Sequence, residues 1–328
     1  MIEPYLLYPT DCISGARKYI SDNSVDLIIT DPPYGIEADK LHKHYRRREE
    51  KVIEGYVEIP REEYASFSIN WIREAERVLR PGGSLYIVSG YSNLISILNS
   101  LNNTSLQEKN HIIWKYNFGV HTTNKYISSH YHILYYTKPG GKVTFNTYAR
   151  FGPEEKNKNN GSLNYRDRED VWTINREYKP GEVRNKNELP TELILKIMQY
   201  SSNEKDVVAD FFLGGFNTAK VAVGMNRKII GFELNKKSFK HHIQEIKVLK
   251  SGYLLPDLRK GNGQVPVNRG KRWSLTEHKK LNTQYLKVYK TLKNKRETIR
   301  ILEKEFGRGY FSILNKLEES STVKKKNN

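Results

Sequence analysis

The chain has 328 residues, 37% of them apolar and 11% aromatic, so one large domain with a small appendage, or two domains, is expected. Its 55 Lys and Arg against 37 Asp and Glu give a formal net charge of +18, which favours a polyanionic partner, nucleic acid before an anionic membrane. The single cysteine, Cys12, excludes an internal disulfide and a multi-cysteine zinc site. No apolar run is long enough to span a bilayer, and residues 1–11 lack the features of a secretory signal, so we expect a cytoplasmic protein with no membrane partner.

From residue 1 to about residue 144, strand-like and helix-like segments alternate. The apolar run VDLIIT, residues 25–30, is typical of a central parallel strand. Residues 62–79 place apolar side chains on one helical face, and a turn at residues 80–83 is expected to separate that helix from the strand SLYIVSG. HIIWKY and HYHILYYTK predict two further strands. Strands that alternate with helices predict a doubly wound α/β sheet.

Residues 145–188 interrupt this alternation. They are polar but contain six aromatic residues, whereas a plain linker is poorer in aromatics, so we predict an irregular inserted module that contacts another molecule. The α/β pattern returns at residue 190 with a helix, the strand DVVADFF, a glycine turn that opens a helix, the strand RKIIGFELN and a closing helix.

The segment from DVVADFF to RKIIGFELN predicts a strand, a helix and a strand with two glycines at the first turn. Glycines there let the backbone approach a ligand, and the following helix offers free N–H groups. Glu233 ends the second strand 23 residues after Asp210, an interval at which an acidic residue holds ribose hydroxyls in nucleotide-binding sheets. Neither a P-loop nor a GxGxxG motif is present. A ligand with one nucleoside and no pyrophosphate, such as S-adenosylmethionine, therefore fits best, and a tight turn without a ligand is the alternative.

The stretch TDPPYG, residues 30–35, directly follows the apolar run of the predicted central strand. A carboxylate is an unusual end for a hydrophobic strand, and two prolines fix the backbone that follows it. Either Asp31 caps a stiff turn, or a rigid functional group stands at the carboxyl edge of the sheet.

Together these segments resemble the amino-methyltransferases of DNA in the circular order called the β group. In that group the DPPY-type catalytic motif comes first, a target-recognition insert follows, and the cofactor glycine motif comes last. TDPPYG resembles the catalytic motif, and PTELILKIMQYSSNEKDVVADFFLGG resembles the cofactor block, so the resemblance covers residues 1 to about 250. The chain departs from the family pattern at Leu189, Phe211, Phe216 and Asn217, where the family has Lys, Pro, Gly and Thr.

The resemblance implies a doubly wound, mostly parallel sheet of the S-adenosylmethionine-dependent methyltransferase type in residues 1–250, with residues 145–188 as the target-recognition insert. It implies transfer of a methyl group to the N6 amino group of adenine in double-stranded DNA. The implied catalytic residues are Asp31, Pro32, Pro33 and Tyr34: the carboxylate and the Pro32 carbonyl accept hydrogen bonds from the amino group, and Tyr34 stacks on the extruded base. The implied cofactor-binding residues are Asp11, Asp31, Asp210, Phe211, Phe212, Gly214, Gly215, Asn217, Thr218 and Glu233. For Asp11 a helix N-cap is the alternative.

Two basic segments are predicted to contact DNA. Arg46, Arg47 and Arg48 lie in a charged loop just after the catalytic motif, for which a solvated loop is the alternative. Residues 271–320 carry three helix-like periods and a turn at Arg308, which predicts a small α-helical helix-turn-helix module with a loose similarity to Myb/SANT-like modules. A basic hairpin packed on the catalytic domain is the alternative. Residues 251–270 are interpreted as a linker and residues 321–328 as a disordered tail.

Several functional alternatives stay open. Methylation of cytosine N4 is the main one, because DPPY favours adenine without requiring it. A catalytically silent DNA-binding regulator and a guanine N2 methyltransferase of RNA are two others. A second copy of the chain and a cognate restriction endonuclease are candidate partners. No metal is predicted: His130 and His132 share one face of a predicted strand, but no further ligands cluster near them.

Overall fold

A computed structural model describes residues 4–33, 59–117, 119, 121–177, 188–258, 268, 271–309 and 312–319. The chain divides into two compact units, one of Met1–Gly152 and Lys156–Asn262, the other of Gly263–Asn328 with the short segment Pro153–Glu155. Among the described residues, no helix combines the length and the apolar character that crossing a bilayer requires.

The described part of the first unit contains one sheet of eight strands. In chain order the strands are β1 (Tyr5–Tyr8), β2 (Val25–Thr30), β3 (Leu79–Ser89), β4 (Gln107–Lys115), β5 (His130–Thr137), β6 (Val171–Thr173), β7 (Val207–Asp210) and β8 (Lys228–Phe232). Their order in space is β1-β8-β7-β2-β3-β5-β4-β6. Every neighbouring pair is parallel except β3 with β5 and β5 with β4. The mostly parallel α/β sheet confirms the predicted fold class.

The chain direction reverses in the middle of this sheet. From β2 the chain continues to β3 on one side, whereas from β7 it continues to β8 on the other side. Because β2 and β7 are themselves neighbours, a crevice forms between their carboxyl ends. Open α/β sheets bind ligands at such a topological switch point.

Helices cover both faces of the sheet. The helices of this unit are α1 (Cys12–Tyr19), α2 (Tyr64–Val78), α3 (Tyr91–Leu101), α4 (Leu163–Asp167), α5 (Thr191–Ser201), α6 (Asn217–Gly224) and α7 (Lys236–Lys247). Helices α1 to α3 share a hydrophobic cluster with Ile28, and α5 to α7 share another with Leu27 and Ile29. Alternate residues of β2 therefore enter opposite cores, which explains why the run VDLIIT is continuously apolar.

Two predicted connections are not loops. Residues 80–83 lie inside β3, which pairs Leu79 with Val25 and Ser84 with Leu27, so the expected turn is an irregularity within the strand. Pro81 cannot donate a ladder hydrogen bond, and the chain bulges there without leaving the sheet. The predicted linker also begins later than expected, because residues 251–258 pack on α6 through Leu254, whose N–H donates to the Gly224 carbonyl at 2.9 Å.

The inserted segment is part of the sheet. In its described portion, residues 145–177, β6 pairs with β4 and thus extends the edge of the sheet. The amide of Asn146 donates to the carbonyls of Gln199 and Ser202 at 3.1 and 3.0 Å, which satisfies free carbonyls at the end of α5. The described part of the segment is irregular, and strand β6 and the Asn146 amide attach it to the sheet and to α5.

The second unit is a small helical module. It contains α8 (Leu275–Leu292), α9 (Lys295–Phe306) and α10, which covers residues 312–319. Its core consists of Leu281, Ile299, Leu302, Phe306, Ile313 and Leu317. Helix α9 ends at Phe306, and Gly307 follows it with a left-handed φ of +58°. The assignment of the module as a DNA-binding helix-turn-helix stays a prediction.

Candidate active site

Four neighbouring strands end in acidic residues at one edge of the sheet. The strands β1, β8, β7 and β2 are parallel, so their carboxyl ends share that edge. The carboxylates are those of Asp11, Glu233, Asp210 and Asp31. Four carboxylates in one crevice repel one another, so their arrangement is expected to serve a ligand.

The end of β2 is tied to the end of β7 by a buried hydrogen bond. The Thr30 hydroxyl donates to Oδ1 of Asp210 at 3.2 Å, and Asp31 is the next residue of the chain. Asp210 also accepts a hydrogen bond from the N–H of Phe212 at 3.0 Å. Burial raises the pKa of the Asp210 carboxyl to about 6, against the lowering effect of these hydrogen bonds and of one from Thr218. Asp210 therefore organises the turn and fixes Asp31 beside it.

The glycine turn after β7 makes close backbone contacts. Gly214 has a φ of +51°, which glycine adopts readily. A Cβ on Gly215 would lie 2.3 Å from Oε1 of Glu188, so a side chain at that position would require the Glu188 side chain to move. Phe216 also adopts a left-handed φ, +61°, immediately before α6 begins. The turn thus presents backbone and the N-terminus of α6 to the crevice, as predicted for a cofactor site.

One predicted cofactor residue, Glu233, braces this turn from the neighbouring strand β8, and another, Asp11, caps a helix. The two carboxylate oxygens of Glu233 accept from the N–H groups of Gly214 at 2.9 Å and Asn235 at 2.7 Å. Burial raises the pKa of Glu233 above its usual range. Asp11 caps α1 by accepting from the N–H of Ser14 at 2.8 Å, so the structure supports the N-cap alternative for that residue.

The departures from the family pattern have structural roles. The amide of Asn217 donates to the Leu189 carbonyl at 3.0 Å and to Oε2 of Glu188 at 3.3 Å, which fixes the chain before α5 to the glycine turn. Phe211 is almost fully buried and packs edge-on against Trp71, with ring centroids 6.4 Å apart. Phe211 thus lies in the core, whereas Phe212 is half-buried, and the predicted cofactor contacts of both residues stay predictions.

Two tyrosines lie within electrostatic reach of Asp31 from opposite faces of the sheet. Burial, and next the charge of Asp31, raise the pKa of Tyr64 at the start of α2. The pKa of Tyr131 in β5 is raised by burial, lowered by Arg176 and raised by Asp31. Sequence reasoning did not identify either residue. Pro32 is buried beside them, which agrees with a rigid catalytic motif.

Some predicted site residues lie outside the described residues. These are Tyr34 of the catalytic motif and the loop residues Arg46, Arg47 and Arg48. Their predicted roles therefore stay predictions.

Arg308 was predicted to contact DNA, but its side chain lies inside the helical module. Its guanidinium is 3% exposed, stacks on the Trp273 ring at 4.2 Å and contacts both carboxylate oxygens of Glu277 at 3.1 Å. It also donates to the carbonyls of Lys271 at 2.7 Å and Arg272 at 3.1 Å. Because its guanidinium is buried and both terminal nitrogens are engaged inside the module, Arg308 holds the module together, and the prediction of a phosphate contact does not agree with its position.

The described residues contain one group of side chains with the composition of a metal site, His241, His242 and Glu245 on α7. Glu245 forms an ion pair with Lys220 at 2.7 Å, and the ammonium opposes a cation there. His132 of β5 shares a hydrogen bond with His111 of the neighbouring strand β4 at 2.8 Å, and its ring centre is 5.2 Å from that of His130.

Comparison with known proteins relates the chain to DNA methylases. The family model N6_N4_Mtase, described as DNA methylase, matches residues 25–245. The chain is 29% identical over 310 residues to Type II methyltransferase M.HpaI of Haemophilus parainfluenzae, covering 88% of this chain and 94% of that protein. It is 30% identical over 275 residues to DNA adenine methyltransferase YhdJ of Escherichia coli (strain K12), covering 79% and 88% respectively.

Two solved structures share the fold. The M1.HpyAVI–SAM complex has a TM-score of 0.51 and 19% identity, covering 74% of this chain and 100% of that one. The cytosine-N4-specific PvuII DNA methyltransferase has a TM-score of 0.55 and 14% identity, covering 78% and 91%. At these identities the similarity supports the fold and leaves the target base open.

Proposed function

Because the chain belongs to the N6_N4_Mtase family of DNA methylases, we propose that it transfers a methyl group from S-adenosylmethionine to adenine N6 in DNA. The observation that carries this proposal is the hydrogen bond from Thr30 to Asp210, since it joins the end of the DPP strand to the end of the glycine-turn strand. The acceptor for the amino group and the cradle for the methyl donor are thereby adjacent.

The residues of the crevice fit S-adenosylmethionine. Gly215 has no side chain, and the Glu188 carboxylate lies where its Cβ would be, while the N-terminus of α6 offers N–H groups to the carboxylate of the cofactor. The oxygens of Glu233 each have a second lone pair for a ribose hydroxyl. When bound, S-adenosylmethionine supplies an electrophilic methyl carbon.

The chemistry at Asp31 concerns the lone pair of the target amino group. In adenine this lone pair is conjugated with the ring, so the nitrogen is a poor nucleophile. The Asp31 carboxylate and the Pro32 carbonyl accept the amino hydrogens, which favours a tetrahedral nitrogen and localises its lone pair. Because a base inside a duplex cannot reach the crevice, the target nucleotide is extruded first. Tyr34 is proposed to stack on it.

The choice of adenine rests on the DPPY motif and on the similarity to an adenine methyltransferase. The alternative is N4 of cytosine, which the fold of the PvuII enzyme accommodates. Similarity to a Type II methyltransferase favours a role in a restriction-modification system, acting on cytoplasmic DNA alongside a cognate endonuclease. The family resemblance also makes a second copy of the chain a candidate partner.

The test replaces the proposed acceptor. Asp31→Ala is expected to lower methyl transfer to unmethylated plasmid DNA by a factor of about 1,000 or more, with binding of S-adenosylmethionine by calorimetry nearly unchanged. The matched control is Glu204→Ala, which removes an exposed carboxylate at the opposite edge of the sheet. Nucleoside analysis of the methylated plasmid then identifies the product.

The outcomes distinguish the methyltransferase activity itself from the choice of adenine and the role of Asp31. N4-methylcytosine in the digest would overturn the choice of adenine and leave the methyltransferase assignment in place. Normal turnover by Asp31→Ala would overturn the acceptor role. A wild-type protein that binds DNA but no S-adenosylmethionine would instead favour the silent regulator.

A further inference from the structure

Arg176, in the inserted segment, lies against three aromatic rings at the catalytic edge of the sheet. Its guanidinium carbon is 4.7 Å from the ring centre of Tyr116, 5.2 Å from that of Tyr131 and 5.9 Å from that of Trp114. All three distances are within the range of cation–π attraction. The guanidinium is engaged by these rings and also shares a side-chain hydrogen bond with Tyr131, and its planar N–H groups are the polar part of the side chain.

The sheet fixes the position of this arginine. Strand β6 pairs with β4 from Val171 to Thr173, and the N–H of Ile174 continues the pairing by donating to the Lys115 carbonyl at 3.1 Å. The indole N–H of Trp114 donates to the Ile174 carbonyl at 2.9 Å. Arg176 follows two residues later, so its backbone starts from a hydrogen-bonded strand and not from a free loop.

Strand directions place Arg176 and its rings at the same edge as Asp31. β4 and β6 run parallel to β3 and end at this edge, whereas the antiparallel β5 begins there. Tyr116 follows β4, Tyr131 is the second residue of β5, and Arg176 follows β6. The pKa of Tyr131 is lowered by Arg176 and raised by Asp31, which agrees with the position of all three residues at the same edge of the sheet.

The electrostatics of the crevice require a cation there. The edge carries the carboxylates of Asp11, Asp31, Asp210 and Glu233, and a DNA strand brings one negative charge per phosphate. A nucleotide that approaches Asp31 is therefore repelled, because its phosphate and the carboxylates of this edge are all negatively charged. A guanidinium held at this edge of the sheet offsets that repulsion, and the planar fork of an arginine has the geometry to contact two phosphate oxygens.

On this basis we propose that Arg176 binds the DNA phosphate that flanks the extruded nucleotide, with Tyr116 and Tyr131 as its rigid backing. The proposal rests on the proposed DNA methyltransferase function and assigns to the insert a direct part in the reaction. Arg176 is then a substrate-positioning contact that acts on DNA binding and leaves the cofactor site unchanged.

The experiment measures kcat/KM for methylation of unmethylated plasmid DNA between 50 and about 250 mM salt, because phosphate contacts set the salt dependence. Arg176→Met is expected to lower kcat/KM roughly tenfold and to reduce the slope of log kcat/KM against log salt by about 1. Arg176→Lys keeps the cation and is expected to retain the slope. Lys228→Met, which removes an exposed cation at the opposite edge of the sheet, is the matched control and is expected to leave the slope unchanged.

An unchanged slope in Arg176→Met would overturn the proposal, even with a lower rate, since Arg176 would then act only on Tyr131 or Asp31. Melting temperature and calorimetric binding of S-adenosylhomocysteine verify that each variant is folded, and Arg176→Gln replaces the Met variant if the latter melts early. Failure of the proposed function is a different result: the wild-type protein then transfers no methyl group to plasmid DNA. In that case the DNA-binding constant is measured by fluorescence anisotropy at each salt concentration. A smaller dependence of that constant on salt in Arg176→Met than in the wild-type protein would support the phosphate contact, and an unchanged dependence would overturn it.

Discussion

At the residue scale, Phe216 is the most unusual position of the glycine turn. It stands where the family pattern has glycine, and its φ of +61° and ψ of +19° are left-handed. An L side chain in this region costs roughly 1–2 kcal/mol relative to glycine. The ring is fully buried and packs edge-on against Phe239 with centroids 5.5 Å apart. Burial of the ring therefore offsets a strained backbone, and the turn keeps the shape that glycine would give it.

Because the backbone of Phe216 is strained, glycine at this position is expected to give a more stable protein than alanine, the reverse of their usual order in a helix. Phe216→Ala loses the buried ring and keeps the strain, so the free energy of unfolding is expected to fall by about 3–5 kcal/mol. Phe216→Gly loses the same ring but relaxes the backbone, so it is expected to be about 1 kcal/mol more stable than Phe216→Ala. Chemical denaturation of both variants at pH 7 measures the difference.

Helix α6 provides the control for that ranking. Ala222 lies in its interior with ordinary helical geometry, and Ala222→Gly is expected to lose about 1 kcal/mol by helix propensity. If glycine is the less stable choice at both positions 216 and 222, the left-handed strain at Phe216 has no energetic consequence, contrary to the prediction.

At the element scale, the half-buried Asp167 carboxylate adds a second attachment of the insert to α5, besides the Asn146 amide. Asp167 accepts from Nε of Arg150 at 3.0 Å and from the hydroxyl of Tyr200 at 2.6 Å, and Nζ of Lys196 is 3.6 Å away. Burial lowers the pKa of Lys196 to about 8, although Asp167 opposes that shift. Lys196 is also 4.3 Å from the Trp172 ring of β6. The network therefore connects α5 to the strand that positions Arg176.

Removing the carboxylate is expected to loosen this connection. Asp167→Asn leaves buried cations without their counter-charge, which costs about 3 kcal/mol or more of unfolding free energy. Because the loss is local, proteolysis between residues 145 and 177 is expected to become faster than in the wild-type protein, and DNA methylation is expected to fall with it. Limited trypsin digestion followed by mass spectrometry locates the cuts.

Lys196→Met is the matched change on the cationic side. It removes an ammonium whose charging is already disfavoured by burial, while Arg150 and Tyr200 still satisfy Asp167, so stability at pH 7 is expected to be equal to or above that of the wild-type protein. Equal proteolysis of Asp167→Asn and Lys196→Met would show that the carboxylate does not hold the insert.

The sequence predicts the elements with local signals and misses those that depend on distant partners. Strand β2 is predicted by the continuous apolar run VDLIIT, and helix α2 by the helical spacing of its apolar residues. The DPP motif and Asp210 are recognised because each stands at the end of a predicted strand. Thr30 and Glu188 carry no local signal, because their importance comes from Asp210 and Gly215, far away in the chain. Arg176 was hidden for the same reason: only the pairing of β6 with β4 brings it to the catalytic edge.

At the scale of the whole molecule, positive charge is concentrated at the end of the chain. Residues 252–328 contain 19 Lys and Arg and 7 Asp and Glu, a net +12 of the total +18. In the helical module Arg308 is occupied internally, so the exposed lysines of α8 are the better candidates for phosphate contact. Lys287 and Lys290 are exposed near the end of that helix, whereas Lys280 pairs with Glu305 at 3.2 Å.

These lysines are expected to contribute to DNA affinity without taking part in catalysis. The double substitution Lys287→Gln and Lys290→Gln is expected to weaken binding to plasmid DNA fragments and to reduce the salt slope by about 1–2, because up to two phosphate-facing cations are lost. The kcat at saturating DNA is expected to stay within about twofold of the wild-type value, in contrast to Asp31→Ala.

Truncation after Leu258, which keeps the residues packed on α6, is expected to weaken DNA binding and reduce the salt slope further than the double substitution does. If the truncated protein keeps the wild-type salt slope, the module serves a structural purpose, and the charge of the last quarter of the chain is not a DNA-binding device.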